Sequence, residues 1–310
     1  GLCEMKFVID DKIPYISGTL EKFGTVLYRP GKDISADDVR DADALIVRTR
    51  TKVNKALLEG SSVKFVATAT IGFDHIDRDY LKEAGIQWTS CPGCNSESVA
   101  QYISAALIEL SDKHGFELAG KTMGIVGVGN VGKKIAIKAK AFGMKVLLND
   151  PPRAAAEGSE GFCDIDQLVA EADFITLHTP LNRDGEYKTF HLADETFLKA
   201  MKPSAFIMNT CRGEIICNSS LQKALEDKEI AGAVIDVWEN EPGINVDLLK
   251  LVDLVTSHIA GYSADGKATG TSMSVQALSR FFDLGMDNWF PENVPMPEKI
   301  LSTELSGMEA

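Results

Sequence analysis

The chain has 310 residues, 45% of them hydrophobic and 25% charged, about twice the length of a usual single domain and enough for two ordinary cores. Thirty-two Lys and Arg against 45 Asp and Glu leave a formal charge of −13, which argues against non-specific binding to nucleic acid or to an anionic membrane surface. No apolar run approaches the ~20 residues of a membrane span, and Gly1-Leu2-Cys3-Glu4-Met5 lacks a basic, apolar leader, so a cytoplasmic protein with neither nucleic acid nor membrane as partner is predicted.

From residue 5 the chain alternates short apolar runs with helix-length segments: Lys6–Ile9, Thr25–Tyr28, Ala44–Val47, Lys64–Ala67 and Ile86–Trp88. Short β-branched and aromatic runs of this kind read as parallel strands buried on both faces. Asp10, Asp11, Thr49, Arg50 and Thr70 to Gly72 then fall just past strand carboxyl ends, where open α/β sheets bind ligands. Cys91-Pro92-Gly93-Cys94 is formally a redox or zinc motif. No second ligand pair of suitable spacing accompanies it, so reduced, structural thiols and no metal site are predicted. A long helix capped by Asn95 or Ser96, with Val99, Ile103, Ala106, Leu107 and Leu110 on one face, is read as joining two domains.

A second α/β series starts at Thr122, with runs at Met123–Val126, Lys145–Leu148, Phe174–Leu177, Ala205–Met208, Ala231–Ile235 and Asp253–Val255. A helix over 264–284 returns to the first domain, and a proline-rich tail (Pro291, Pro295, Pro297) reads as irregular. The fold expected is α/β: two doubly wound parallel-sheet domains, a Rossmann NAD-binding domain over 98–264 inserted into a flavodoxin-like substrate domain of 1–97 and 265–310.

Gly127-Val128-Gly129-Asn130-Val131-Gly132 is the sharpest local signal, because it follows a strand and opens a helix. Gly127 permits the turn, Gly129 lets a pyrophosphate approach the backbone, and Gly132 packs helix on strand. The helix start then offers free N–H groups to phosphate. Asp150 ends the next strand 18 residues after Gly132, where a carboxylate meets the ribose 2′-hydroxyl and repels a 2′-phosphate, so NAD is favoured over NADP. Arg153 is the one nearby residue able to soften that preference.

Three later segments each follow a strand: Asn209 to Gly213 with Arg212, Asp236 to Pro242 with Glu241, and Ser257 to Tyr262 with His258. Arg212 can hold a carboxylate through two hydrogen bonds, His258 can exchange a proton near neutral pH, and Glu241 can orient that imidazole. Any one of these alone is an ordinary surface residue; their order after a complete dinucleotide pattern is what carries weight.

Gly127-x-Gly129-x-x-Gly132 with Asp150, His178-Thr179-Pro180-Leu181, Asn209-x-x-Arg212-Gly213, Asp236-Val237-Trp238-x-x-Glu241-Pro242 and His258 together resemble the D-isomer-specific 2-hydroxyacid dehydrogenases over nearly the whole chain. The resemblance implies Arg212 and Glu241 as active-site residues and His258 as proton donor and acceptor. It implies NAD contacts at Asp150, Thr179, Asp236 and Gly261, with backbone contacts near Asn130-Val131 and over Thr210-Cys211-Arg212. Thr49, standing where Ser is expected, would line the substrate site with Thr70 and Tyr262. A small phosphorylated 2-hydroxy acid is the implied substrate, its phosphate near Arg48, Arg50, Lys52 or Lys267. A homodimer is also implied, built in longer members on a C-terminal module that would begin where this chain stops. Two other readings stay open: a dehydrogenase of the 3-phosphoglycerate or glyoxylate/hydroxypyruvate type, and a non-enzymatic NAD-sensing protein.

Overall fold

The computed structural model describes residues 4–295; Cys3, Pro297 and the rest of the tail beyond 295 lie outside them. The described residues form two compact units, 4–95 with 263–295, and 96–262. The first unit is thus assembled from both ends of the chain, with the second inserted between.

In the first unit β1 (Met5–Asp10), β2 (Gly24–Arg29), β3 (Ala44–Val47), β4 (Phe65–Thr68) and β5 (Gln87–Thr89) pair in parallel in the order β2-β1-β3-β4-β5. This is the flavodoxin-type order expected. Both faces are covered, which is why the strands read as unbroken apolar runs. Phe7, Ile9, Ala44, Ile46, Phe65 and Ala67 pack with Val275 and Leu278 of the helix Ala264–Phe282. Their neighbours in sequence, Val8, Leu45, Val47 and Val66, pack with Val39, Leu57, Leu58 and Leu81 from three short helices.

The second unit holds β6 (Thr122–Val126), β7 (Lys145–Asn149), β8 (Phe174–Leu177), β9 (Phe206–Asn209), β10 (Gly232–Ile235) and β11 (Leu254–Val255). All pairs are parallel, in the order β7-β6-β8-β9-β10-β11. The usual Rossmann order adds one strand outside the second. Its place is taken by a single backbone bond, Cys163 N–H to the Leu148 carbonyl at 2.8 Å. The helix Ser96–His114 begins at the division between the units and buries Ile103, Leu107 and Leu110 among Met123, Ile125, Phe174 and Phe206. The chain reverses its winding between β1 and β3 in one sheet and between β6 and β8 in the other, which places a ligand crevice at those carboxyl ends. No described helix is long and apolar enough to cross a membrane.

Candidate active site

The loops after β6 and β8 meet at the second switch point. Gly127 has φ +90°, and a Cβ there would lie 2.2 Å from the His178 carbonyl oxygen; a Cβ on Gly132 would lie 2.1 Å from the Gly127 carbonyl oxygen. Backbone meets backbone at both points, so only glycine closes the turn. A Cβ on Gly129 would meet open space, and Gly129 caps the helix Asn130–Ala141 with no side-chain hydrogen bond. The amide groups of Asn130, Val131 and Gly132 therefore have no acceptor within the helix. Two buried hydroxyls also lack partners among the described residues, Thr179 Oγ1 and Thr210 Oγ1. Open N–H groups at a glycine-rich helix start, with orphaned hydroxyls on the neighbouring loops, fit a dinucleotide: phosphate for the amides, hydrogen-bonding groups for the threonines.

Asp150 caps the short helix Pro151–Glu157 through the Arg153 amide, and its other oxygen accepts from Val128 N at 2.9 Å. Each of the three guanidinium nitrogens of Arg153 is engaged in another contact. Its Nη1 donates to the Val128 carbonyl at 2.7 Å, Nε and Nη2 bind Glu157 at 3.0 and 2.7 Å, and the guanidinium lies over the Phe162 ring.

β9, β10 and β11 are adjacent and parallel, so the three polar segments that follow them share one sheet edge. His258 Nδ1 lies 3.0 Å from Glu241 Oε2, while Glu241 Oε1 accepts from the Trp238 amide at 2.8 Å. His258 Nε2 has no hydrogen-bond partner among the described residues, and the His258 side chain is 51% exposed. The residue is left-handed, φ +57°. Its amide is held by the Asp236 carbonyl at 2.7 Å.

The Asp236 carboxylate is engaged within the second unit. The residue is fully buried, and its carboxylate accepts from Thr256 Oγ1 (2.6 Å) and the amides of Ile259 (2.8 Å) and Ala260 (3.0 Å). Tyr102 hydrogen-bonds Thr256 in turn. These bonds shape the His258 loop, and Thr256 and Tyr102 share that work. Periodicity could not reveal them, because a hydroxyl that bonds a buried carboxylate looks like any other polar residue in the sequence. Gly261 follows this turn, and Tyr262 is 70% exposed.

Arg212 is exposed and makes no ion pair among the described residues; its Nη1 donates to the Cys211 carbonyl at 2.7 Å. Two features aim it. Buried Asn209 brackets the loop, donating to the Arg212 carbonyl at 2.9 Å and accepting from the Cys211 amide at 3.2 Å. Gly213 lets the β9 and β10 loops touch, since a Cβ there would lie 2.1 Å from the Trp238 carbonyl carbon.

Thr49 and Thr70 belong to the first unit. Arg48, Thr49, Arg50 and Lys52 follow β3 directly, all exposed, and the three cations form no ion pair among the described residues. Buried Asp10, across the switch point, is held by the Lys12 amide. Thr70 Oγ1 donates to the Gly72 carbonyl at 2.8 Å and meets Thr68, whose hydroxyl also reaches His75.

The two remaining sequence features are structural. Cys91 is buried against the carbonyls of Thr68 and Gly270, and desolvation pushes its thiol up to about 11, the opposite of an activated redox cysteine. No group of three or more His, Cys, Asp or Glu able to hold a metal ion occurs among the described residues. Desolvation likewise pushes the His178 imidazole down to about 3, with Nε2 lying 2.6 Å from Thr176 Oγ1. Between its ordinary 6.5 and about 3 the unfolded chain binds a proton that the folded chain refuses, so stability falls as pH drops through that window. His178→Gln is expected to flatten the pH dependence of the urea midpoint between about pH 6 and 4. An unchanged slope would count against this account.

Residues 97–260 match the family described as D-isomer specific 2-hydroxyacid dehydrogenase, NAD binding domain. The chain is 52% identical over 301 residues to an erythronate-4-phosphate dehydrogenase of Bacteroides fragilis, covering 96% of this chain and 86% of that one. It is 46% identical over 295 residues to an erythronate-4-phosphate dehydrogenase of Escherichia coli K12, covering 95% and 78%. In fold it is similar to the NAD-complexed D-isomer specific 2-hydroxyacid dehydrogenase of Lactobacillus delbrueckii ssp. bulgaricus, with a TM-score of 0.72, 23% identity, and 90% of this chain and 98% of that one covered.

Proposed function

The chain belongs to the D-isomer specific 2-hydroxyacid dehydrogenase family, and we propose that within it the protein oxidises the C2 hydroxyl of 4-phospho-D-erythronate to 2-oxo-3-hydroxy-4-phosphobutanoate, a step of vitamin B6 biosynthesis. The observation that carries the chemistry is the His258–Glu241 pair, in which Nδ1 is held at 3.0 Å and Nε2 is left open. NAD held at the glycine-rich turn would supply the hydride acceptor for C2. Neutral His258 takes the hydroxyl proton at Nε2, and the Glu241 carboxylate balances the charge that the ring gains. Arg212 pairs with the substrate carboxylate and draws charge from the C2 oxygen as it becomes a carbonyl.

Two features support the phosphorylated substrate. Close relatives carry the corresponding name, and Arg48, Arg50 and Lys52 at the first sheet's switch point form no ion pair among the described residues, in a protein of charge −13. In this reading the second unit binds NAD through Gly127, Gly129, Asn130, Val131, Gly132, Asp150, Thr179, Thr210, Cys211, Arg212, Asp236 and Gly261. Thr49, Thr70 and Tyr262 meet the substrate. Family resemblance also carries the expectation of a homodimer, which sedimentation equilibrium tests.

The deciding assay is NADH formation with 4-phospho-D-erythronate, D-erythronate and 3-phospho-D-glycerate, read in single-turnover and steady-state modes. Preference for the first acid upholds the proposal. Preference for 3-phospho-D-glycerate keeps the chemistry and removes the vitamin B6 assignment, and NAD binding without turnover on any acid returns the sensor reading.

The orphaned hydroxyls give a second test. Thr179→Val and Thr210→Val remove buried groups that bond to nothing among the described residues, so thermal stability without NAD is expected to hold or rise. Each variant should weaken NAD binding about three- to tenfold in calorimetric titration, the worth of one hydrogen bond. Loss of stability without NAD, with affinity unchanged, would remove these residues from the cofactor site.

A further inference from the structure

A cavity of about 410 Å³ in the NAD-binding unit lies between the helices Asn130–Ala141 and Pro151–Glu157. Its lining includes the apolar Val128 and Phe162, the cations Lys133 and Arg153, and the acid Glu157. Val128 ties it to the glycine-rich turn: its amide donates to Asp150, and its carbonyl accepts from Arg153 Nη1. The Arg153 amide donates to the same Asp150 carboxylate. The guanidinium thus stands beside the position that meets the ribose hydroxyls of a dinucleotide. That is where an arginine would accept a 2′-phosphate, yet both oxygens of Glu157 already sit on its Nε and Nη2.

We propose that this cavity is a 2′-phosphate site filled by the protein's own carboxylate: Glu157 occupies the oxyanion position on Arg153, so rejection of NADP depends on Glu157 as well as on Asp150. The inference rests on the dehydrogenase reading above and deepens it. Asp150 excludes the phosphate by charge at the ribose, while Glu157 denies it the Arg153 guanidinium. The arrangement mimics the ligand, because a carboxylate and a phosphate bind an arginine fork in the same way. The hydrogen bond from Arg153 holds the Glu157 carboxyl below its usual range, with the Lys133 charge acting in the same direction. Glu157 is therefore ionised at neutral pH and stays a competitor.

Calorimetric titration of the whole chain with NAD and with NADP tests this without turnover. Glu157→Gln removes the competing charge, so NADP is expected to bind about tenfold more tightly, while the NAD affinity stays within about twofold. Asp150→Ser should add its own gain, so that the double variant binds NADP most tightly. Arg153→Ala in the Glu157→Gln background should abolish the gain. An NADP affinity that fails to rise in Glu157→Gln, with or without Asp150→Ser, overturns the proposal. So does a gain that survives Arg153→Ala, since it would then be only the loss of a surface charge. Matching melting temperatures of the variants without nucleotide separate these outcomes from misfolding. Failure of the unaltered chain to bind NAD would overturn the dehydrogenase reading, and this proposal with it.

Discussion

His258→Ala is expected to lower kcat by about three orders of magnitude while the affinity for NAD stays within about twofold. The asymmetry follows from where the ring sits. Nδ1 faces Glu241 at 3.0 Å, and neither nitrogen bonds the glycine-rich turn, so the ring can be removed without disturbing the nucleotide groups. The loop survives as well, because it is held by main-chain groups: the His258 amide on the Asp236 carbonyl, and the Ile259 and Ala260 amides on the Asp236 carboxylate. Alanine keeps all three bonds and loses only the imidazole. Glu241→Gln should cost less, because the imidazole remains, although its one amide oxygen can serve Nδ1–H or the Trp238 amide but not both and no longer balances the imidazolium. Stopped-flow single turnovers beside NAD titration check both variants. Near-normal turnover in His258→Ala would withdraw the proton-transfer assignment, and a parallel loss of NAD affinity would mean that the loop had moved.

The sequence shows the interior of each sheet plainly and its functional rim poorly, for one physical reason. Apolar runs end at Ile9, Ala67, Leu148 and Met208, whereas β1, β4, β7 and β9 each continue one residue further, to Asp10, Thr68, Asn149 and Asn209. All four are buried and polar. Hydrophobic patterning stops where a strand exchanges an apolar side chain for one that organises the loop beyond it. Asp10 takes the Lys12 amide, Thr68 meets Thr70 and His75, Asn149 donates to the Cys163 carbonyl, and Asn209 brackets Arg212. Periodicity reports burial against apolar neighbours, so it is blind to these residues. Glycines were easier, because backbone contact at Gly127, Gly132 and Gly213 leaves no alternative residue and so fixes the spacing of the motif. Asp236 shows the opposite limit. Its place in a motif pointed to the cofactor, and only the fold reveals that its carboxylate is occupied by the His258 loop.

Arg212→Ala is expected to cost about 10³ in kcat/KM for the hydroxy acid, read against an unchanged thermal midpoint. The side chain is exposed, pairs with no acid among the described residues, and spends one N–H on the Cys211 carbonyl, so the fold does not depend on its charge. A guanidinium kept available in this way has its worth in what it binds. Arg212→Lys should recover little, because a point ammonium cannot present two parallel donors to a carboxylate. Gly213→Ala reaches the same residue by another route. The added methyl would lie 2.1 Å from the Trp238 carbonyl carbon and 2.6 Å from the Glu239 amide nitrogen, so the loops bearing Arg212 and Glu241 must part. Displacement by about 1 Å at a reacting centre can cost about 10² in rate, and here two groups shift together. Gly213→Ala should therefore approach the loss seen in Arg212→Ala, but with a lowered melting temperature. The double variant should be little worse than the worse single one, because both remove the same contact. Fully additive losses would show that Arg212 acts independently of the loop contact that Gly213 permits.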